Sequence, residues 1–514
     1  MATKSLFGSR KRAAPAAVNA AGGPAHAYGA RHELAQLALT GTFGDIYYVD
    51  AKAQLGQLGL AAARVDDTFL AQTAIHARAH GHMKDTPAFL LAVLSRRDPT
   101  LFARAFPRVV DNGRMVRTFV QVVRSGQAGR TSLGSAPKRA VAAWLTSASD
   151  AAVVRASVGN DPSLADVIRM VHPKPKDEAR AALLAWVIGR PADTDALPPA
   201  VRDFIAYKAT GQGPVPDVPF QMLTSLGLGQ RQWTRVAERC GWQALRMNLN
   251  TFARHGVFER ASVTRALAAR LSDPAEIARA RVLPYQLMVA QSHLDAGVPD
   301  AMRDALEAAM EIALSNVPVL GGRVVICPDV SGSMGSPVTG YRPGASTTVR
   351  CVDVAALVAA ALHRANPGAR VLPFDGRVYE AKLDPRDRIA TSARVLAGFG
   401  GGATDCSAPL ARLNARRQHA DLVVFVSDNQ SWYGRRDGWQ TGMERQWEAL
   451  KRRNPEARMA CIDIQPYGTA QVRARPDVMN VGGFSDQVFG MLGDFANGSA
   501  GADALVARIE KERV

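Results

Sequence analysis

The sequence predicts two architectures in series: an α-helical repeat solenoid of the HEAT kind, then an α/β doubly wound domain. Three observations predict it. Before residue 317 nearly every segment places apolar side chains at i, i+3, i+4, i+7 spacing. After residue 317 short apolar runs alternate with helical ones. The chain has 514 residues, and roughly 300 helical residues exceed what one core serves.

The helical elements follow in order. ARHELAQLAL, AKAQLGQLGLAAARV, TFLAQTAIHARAHG and PAFLLAVLSRR succeed one another with short breaks, as at Asp85-Thr86-Pro87 and Asp98-Pro99. The period continues through KRAVAAWL, DEARAALLAWVIG, VRDFIAYKATG, QWTRVAERCG and WQALRMNLNTFARHG. It ends with ASVTRALAARL, YQLMVAQSHLDAG and DAMRDALEAAMEIALSNV. Helix pairs in series read as a solenoid with irregular repeats. The competing architecture is a compact helical globule.

The second region reads strand, helix, strand. GGRVVICPDVS is a buried strand entering a Gly/Ser loop, and CVDVAALVAAALHRA a helix. ARVLPFDG is a strand; RDRIATSARVLAGF and CSAPLARLNARR are helices. ADLVVFVSDN and ARMACIDI are strands around the helix GMERQWEALKRRN, and VMNVGGFSDQVFGMLGDFA closes with a strand and a helix. Apolar strands bounded by helices imply a parallel sheet covered on both faces. Ligands of such sheets sit at the carboxyl ends of the strands.

Composition narrows the function. Hydrophobic residues make up 47% and charged residues 21%, a globular balance. No apolar run is long enough to span a bilayer. The five cysteines are scattered, with no Cys-x-x-Cys pair, which suggests reduced thiols in the cytoplasm rather than a zinc site. Lys+Arg is 63 against Asp+Glu 46, a net of +17. Residues 1–320 carry 38 basic and 26 acidic side chains, a net of +12. A polyanionic partner, nucleic acid before membrane, is one reading. An Arg-rich composition from a high-GC genome is the other.

The sharpest motif is Asp329-Val330-Ser331-Gly332-Ser333, at the end of the first strand of the α/β region. One carboxylate and two hydroxyls spaced by two converge from a tight loop. They are hard oxygens, suited to Mg²⁺ or another divalent cation. Two more strand ends supply oxygens: the Gly400-Gly401-Gly402-Ala403-Thr404-Asp405 loop and Ser427-Asp428-Asn429. Each loop alone is an ordinary turn. The three together point to a metal site. No phosphate-binding Gly-x-x-x-x-Gly-Lys loop follows a strand, so nucleotide hydrolysis has no support.

These three loops resemble the metal-ion-dependent adhesion site (MIDAS) of von Willebrand factor A domains, a Rossmann-like fold, over residues 317–514. The resemblance implies that Asp329, Ser331, Ser333, Thr404 and Asp428 hold the metal, some through water, and that the site binds rather than catalyses. The helical region resembles the TROVE domain of the Ro autoantigen family, bacterial Ro-like proteins included. NAAGG before ELAQLALTGTFGDIYYVD, then KRAVAAWL, DVIRMVHPKP, ALRMNLNTFARHGVF and LPYQLMVAQSHLDAG, carry that likeness; GGATDCSAPL and VFVSDNQSWYG extend it into the second region. The domains expected are a basic flexible tail over 1–22, a TROVE domain over 23–316 and the A domain over 317–514.

Membership of that family implies a non-catalytic ribonucleoprotein component in the cytoplasm. Its repeats close into a ring, expected to be monomeric. The ring's outer face binds small noncoding Y RNA, and its hole admits single-stranded 3′ ends of misfolded or structured RNAs. It acts in RNA quality control and processing with a 3′ exoribonuclease such as polynucleotide phosphorylase. Lys138 and Arg139, at the expected start of one helix, are candidates to meet a phosphate. Arg169, His172, Lys174 and Lys176 surround two stiffening prolines on the matched Y RNA face. Arg246 and Asn248 are candidates for the inner surface, although Asn248 would equally satisfy a helix end. Trp144 and Trp186 occupy apolar helical positions and read as core. Two other functions compete. One is a metal-dependent protein-interaction scaffold using the A domain. The other is a nuclease using Asp329, Asp405 and Asp428.

Overall fold

A computed structural model describes residues 17–224, 226–280, 282, 284–314, 317–341, 349–432, 440–483 and 485–514. They form two compact units. One combines the chain up to Arg64 with Val317–Arg508; the other is Val65–Asn316 with the last six residues, Ile509–Val514.

The first unit holds the parallel sheet. Its five strands lie in the order Arg370–Val371, Val324–Pro328, Leu422–Ser427, Arg458–Asp463, Val478–Gly482, all parallel. Every residue of Val324–Pro328, Leu422–Ser427 and Val478–Gly482 is buried, as Val-rich strands between helical layers must be. Val325, Cys327, Val423, Phe425, Met459 and Cys461 pack on Leu410 and Leu413 of helix Ala408–Ala415 and Trp447 of helix Gly442–Arg453. Helix Cys351–Ala365 packs on strands Val324–Pro328 and Leu422–Ser427, whose alternate side chains point to the opposite face. The chain leaves Val324–Pro328 for a strand on one side and returns to a strand on the other. Asp329 therefore sits at the switch point of the sheet.

One strand is shorter than the sequence suggests. ARVLPFDG pairs only at Arg370–Val371, with Phe374 continuing as an isolated bridge to Asp329. Pro373 has no N–H to donate, and the strand lies at the edge of the sheet.

The start of the chain departs from the expected boundaries. Residues 17–64 belong to the unit of the parallel sheet, not to the helical unit. The tail expected over 1–22 is structured from Ala17: Ala17–Val18 pairs with Pro24–Ala27, which pairs with Thr469–Ala470. Residues 1–16 lie outside the described residues. Buried polar bonds hold this segment in place. Asn19 Nδ2 donates to the Ser431 carbonyl (2.9 Å), Tyr28 Oη to Asp463 (3.0 Å), and Gln36 Nε2 to the same carboxylate (2.9 Å). His26 Nε2 lies 3.1 Å from Glu444. Helical period shows that helix Ala30–Thr40 has a buried face, but not which core receives it.

The second unit is helical throughout its described residues. Asp98 caps helix Pro99–Val109 through the N–H groups of Thr100 and Leu101, with Pro99 at the first helical position. Phe102, Phe106 and Phe119 form one aromatic cluster with ring centroids 5.4–5.7 Å apart. Trp233 and Phe252 centre another, 6.4 Å apart. The stretch WQALRMNLNTFARHG forms two helices, Trp242–Met247 and Leu249–Arg254. Between them Asn248 bonds back to the Ala244 carbonyl (2.8 Å) and competes with the backbone for it. Trp144 and Trp186 are half-buried rather than core.

Candidate functional site

The metal motif folds as its spacing suggests. The five expected ligands, Asp329, Ser331, Ser333, Thr404 and Asp428, are all buried in the first unit; the Asp329 and Asp428 loops follow strands, whereas Thr404 lies in the loop between helices Ile389–Ala397 and Ala408–Ala415, not at the strand end the sequence suggested. Ser331 Oγ lies 3.3 Å from Ser333 Oγ. Asp329 Oδ1 accepts the Ser331 N–H (2.9 Å) and Oδ2 accepts the Ser427 hydroxyl (2.6 Å). Asp428 Oδ1 accepts the Gln430 N–H (3.1 Å), and the Ser333 hydroxyl bonds the same carboxylate.

The glycine run is needed for close approach. Gly401 N–H donates to the Val330 carbonyl (2.7 Å), and Gly332 N–H to the Gly402 carbonyl (2.8 Å). A Cβ on Gly400, which has φ +77°, would lie 2.3 Å from the Val330 oxygen. The run thus packs the loop that carries Thr404 against the Asp329 loop.

Burial pushes the carboxyls of Asp329 and Asp428 up, and the charge of Asp329 raises Asp428 further. Among the described residues neither carboxylate has a Lys or Arg partner. Two buried acids with buried hydroxyls beside them, without a cationic side chain, are a donor set that a hard divalent ion neutralises. The residues present fit such an ion.

Two contributors are invisible in the motif. Asp375 accepts the Gly402 N–H (3.1 Å) and the Tyr379 hydroxyl (2.9 Å), fixing the glycine run. Tyr48 bonds Ser333 through its hydroxyl and accepts the Trp432 indole N–H (3.1 Å). Tyr48 lies 285 residues before Ser333, so no spacing could reveal it. One oxygen of Asp405 is engaged locally. Its Oδ1 accepts the N–H and hydroxyl of Ser407 (2.9 and 2.6 Å) at the start of the next helix.

The cationic candidates lie in the helical unit. Lys138 and Arg139 are exposed, but their helix starts earlier, at Ser135. The Lys138 N–H already donates to the Gly134 carbonyl (3.2 Å), so only the side chains are available to a phosphate. His172, Lys174 and Lys176 are exposed in the segment after helix Leu164–Val171, where His172 adopts φ +49° and ends the helix. Arg169 is exposed beside them and donates to the Ile188 carbonyl (2.7 Å). Arg246 is committed to structure. It donates to Gln243 (3.1 Å) and to the Gln286 carbonyl (2.7 Å). Asn248, bonded to Ala244, lines an open cleft of about 1780 Å³ within the helical unit. The same cleft carries Arg114, Arg155 and Arg239, all exposed, which sequence reasoning missed. Single arginines on separate helices form no local pattern.

Residues 323–496 match the Ro60 vWA domain. Across 453 residues the chain is 25% identical to the RNA-binding protein RO60 of Deinococcus radiodurans, covering 81% of this chain and 82% of that one. Most of the chain is therefore similar to proteins of the Ro family. A 175-residue stretch of this chain is 26% identical to the RNA-binding protein RO60 of Caenorhabditis elegans, covering 32% of this chain and 26% of that one. The crystal structure of the D. radiodurans Ro protein (RSR) shares its fold, with a TM-score of 0.60 at 22% identity. That match covers 92% of this chain and 100% of the other.

Proposed function

We propose that this chain binds RNA through its helical unit and acts without catalysing a reaction. The observation that carries the reading is the cationic surface of that unit. Arg114, Arg155 and Arg239 enter its cleft without an acidic partner among the described residues. Arg169, His172, Lys174 and Lys176 gather in one exposed segment. Exposed arginines on a rigid helical frame meet phosphates without reading bases. The relatives' name, RNA-binding protein RO60, supports the same reading.

The finer reading gives the two surfaces different tasks. The cleft takes unpaired 3′ ends of misfolded or structured RNAs, since an arginine-lined groove tracks a single-stranded backbone. The 169–176 segment, with Lys138 and Arg139, binds a structured small RNA of the Y RNA kind. The protein then serves RNA quality control in the cytoplasm and presents RNA to a 3′ exoribonuclease. Asp329, Ser331, Ser333, Thr404 and Asp428 would hold Mg²⁺ in the A domain, where the ion neutralises the buried acids and offers a position to a partner's carboxylate.

The test measures RNA binding by the purified chain at several salt concentrations. A structured RNA with a single-stranded 3′ tail is compared with the same RNA made blunt. Tail-dependent binding that weakens steeply with salt is expected, as is its loss in Arg114→Ala/Arg155→Ala/Arg239→Ala. No binding to either RNA at low salt overturns the reading. A second reading, a metal-dependent scaffold for proteins, is favoured by Trp432. It is half-exposed and its backbone N–H donates to the carbonyl of Thr404 (3.1 Å), one of the expected ligands. Chelator-sensitive protein capture that ignores salt would support that alternative.

A further inference from the structure

The helical unit carries a second group of ligating side chains, far in sequence from the A-domain loops. His76, in helix Asp67–Ala79, and His80, its C-cap, are four residues apart and so share one face. Their ring centroids lie 4.9 Å apart. Glu512, near the end of the chain, reaches both. Its Oε1 is 3.0 Å from His76 Nδ1 and 2.9 Å from His80 Nε2. The three ligand atoms all fall within 4.8 Å of one another.

The carboxylate is held in place rather than swinging on a loose end. Arg108 Nη2 lies 3.5 Å from the other oxygen, Oε2, leaving Oε1 for the imidazoles. Gln72 Nε2 donates to the Glu510 and Glu512 carbonyls (2.8 and 3.1 Å), and Arg104 to the Val514 carbonyl (2.6 Å). Such outer contacts orient ligands in metal sites. His76 is 2% exposed and Glu512 11%, whereas His80 is 42% exposed. Two ligands are thus fixed from inside, and one side stays open to water.

We propose that His76, His80 and Glu512 form a binding site for a divalent transition metal of the Zn²⁺ class. Two imidazoles and a carboxylate are an N/O donor set that Zn²⁺ accepts and Mg²⁺ does not favour. Zn²⁺ bonds of about 2.0–2.1 Å at tetrahedral angles place ligand atoms roughly 3.3 Å apart. The two nitrogen–oxygen separations need to open by only a few tenths of an ångström, while the two imidazole nitrogens, within 4.8 Å of each other, settle onto the ion. Binding requires an unprotonated nitrogen from each imidazole, so any proton between it and Glu512 must leave as the ion enters. Three protein ligands leave the fourth position to water at the open side. The ion would tie the last residues of the chain to helix Asp67–Ala79. The site is independent of the RNA reading and of the A-domain ligands.

The experiment uses the full chain, stripped with a chelator and held in excess Mg²⁺. Zn²⁺ is then titrated against a chromogenic competitor, and Co²⁺ is added separately as a spectroscopic probe. One equivalent of Zn²⁺ is expected to bind, with Co²⁺ giving the strong visible bands of a four-coordinate site. Glu512→Gln and His80→Ala should weaken Zn²⁺ by about 10–100-fold, the usual range for losing a supporting group in a metal site, or more. His80 is half-exposed, so its replacement keeps the test usable if His76→Ala fails to fold. Asp428→Asn should leave the equivalent in place. Absence of a stoichiometric Zn²⁺ equivalent overturns the proposal. So does an equivalent that survives in His80→Ala and Glu512→Gln.

Discussion

Asp463 shows how one buried side chain sets a pH dependence. Burial pushes its carboxyl up to about 8, and the charge of Asp428 adds to the effect. Tyr28 and Gln36 both donate to its Oδ2. The folded state therefore keeps a proton that the unfolded chain releases near pH 4. Stability should fall as pH rises between about 4 and 8, by up to about 1.4 kcal/mol per unit. Asp463→Asn removes this slope. Urea unfolding in chelator should show the variant gaining on the natural protein from pH 5 to pH 8; a constant difference would refute the assignment. Asp428 yields a second residue-scale prediction. Its carboxylate lacks a cationic partner among the described residues, so a divalent ion at 100 times its dissociation constant should stabilise the natural protein by about 2.7 kcal/mol. Asp428→Asn should lose that Mg²⁺-dependent rise in Tm.

At the scale of elements, the glycine run and the strand ends act together. Gly400 has φ +77°, and a Cβ there meets the Val330 carbonyl at 2.3 Å. Gly400→Ala must move the loop away from Val330 and carry Thr404 with it. We expect a stability loss of about 1–3 kcal/mol and at least tenfold weaker metal binding by calorimetry. Undiminished affinity would mean that Thr404 does not help hold the ion. The strands and helices of this region were legible because each has one apolar period and a clear break. Asp329, Ser331 and Ser333 were legible because their spacing is local. Asp375 and Tyr48 were not, because their contacts to Gly402 and Ser333 close only in the fold. The same reason hid the placement of residues 17–64. The period of helix Ala30–Thr40 is that of any amphipathic helix, and its specific partner is Asp463, 427 residues beyond Gln36.

At the scale of the whole molecule, charge distribution separates two kinds of binding. The chain carries a net of +17, and residues 1–320 hold +12 of it. If phosphates are the partner, affinity for a structured RNA should fall linearly on a log–log plot against salt. Each phosphate contact adds about 0.7–0.9 to the slope. Lys138→Ala/Arg139→Ala should lower the slope by up to about 1.4–1.8 if both side chains meet phosphates. It should weaken binding uniformly across sequences, since neither contact reads a base. Lys174→Ala/Lys176→Ala should act in the same way, though Lys176 lies 3.9 Å from Asp177, so part of its charge is already answered. Arg246 predicts the opposite pattern. Its guanidinium holds the Gln286 carbonyl, so Arg246→Ala should lower Tm while leaving the salt slope unchanged. Filter binding over a salt series, run beside thermal unfolding, separates the two patterns. An unchanged slope in both lysine variants would show that these cations face solvent only, and the phosphate contacts would then have to come from the arginines of the cleft.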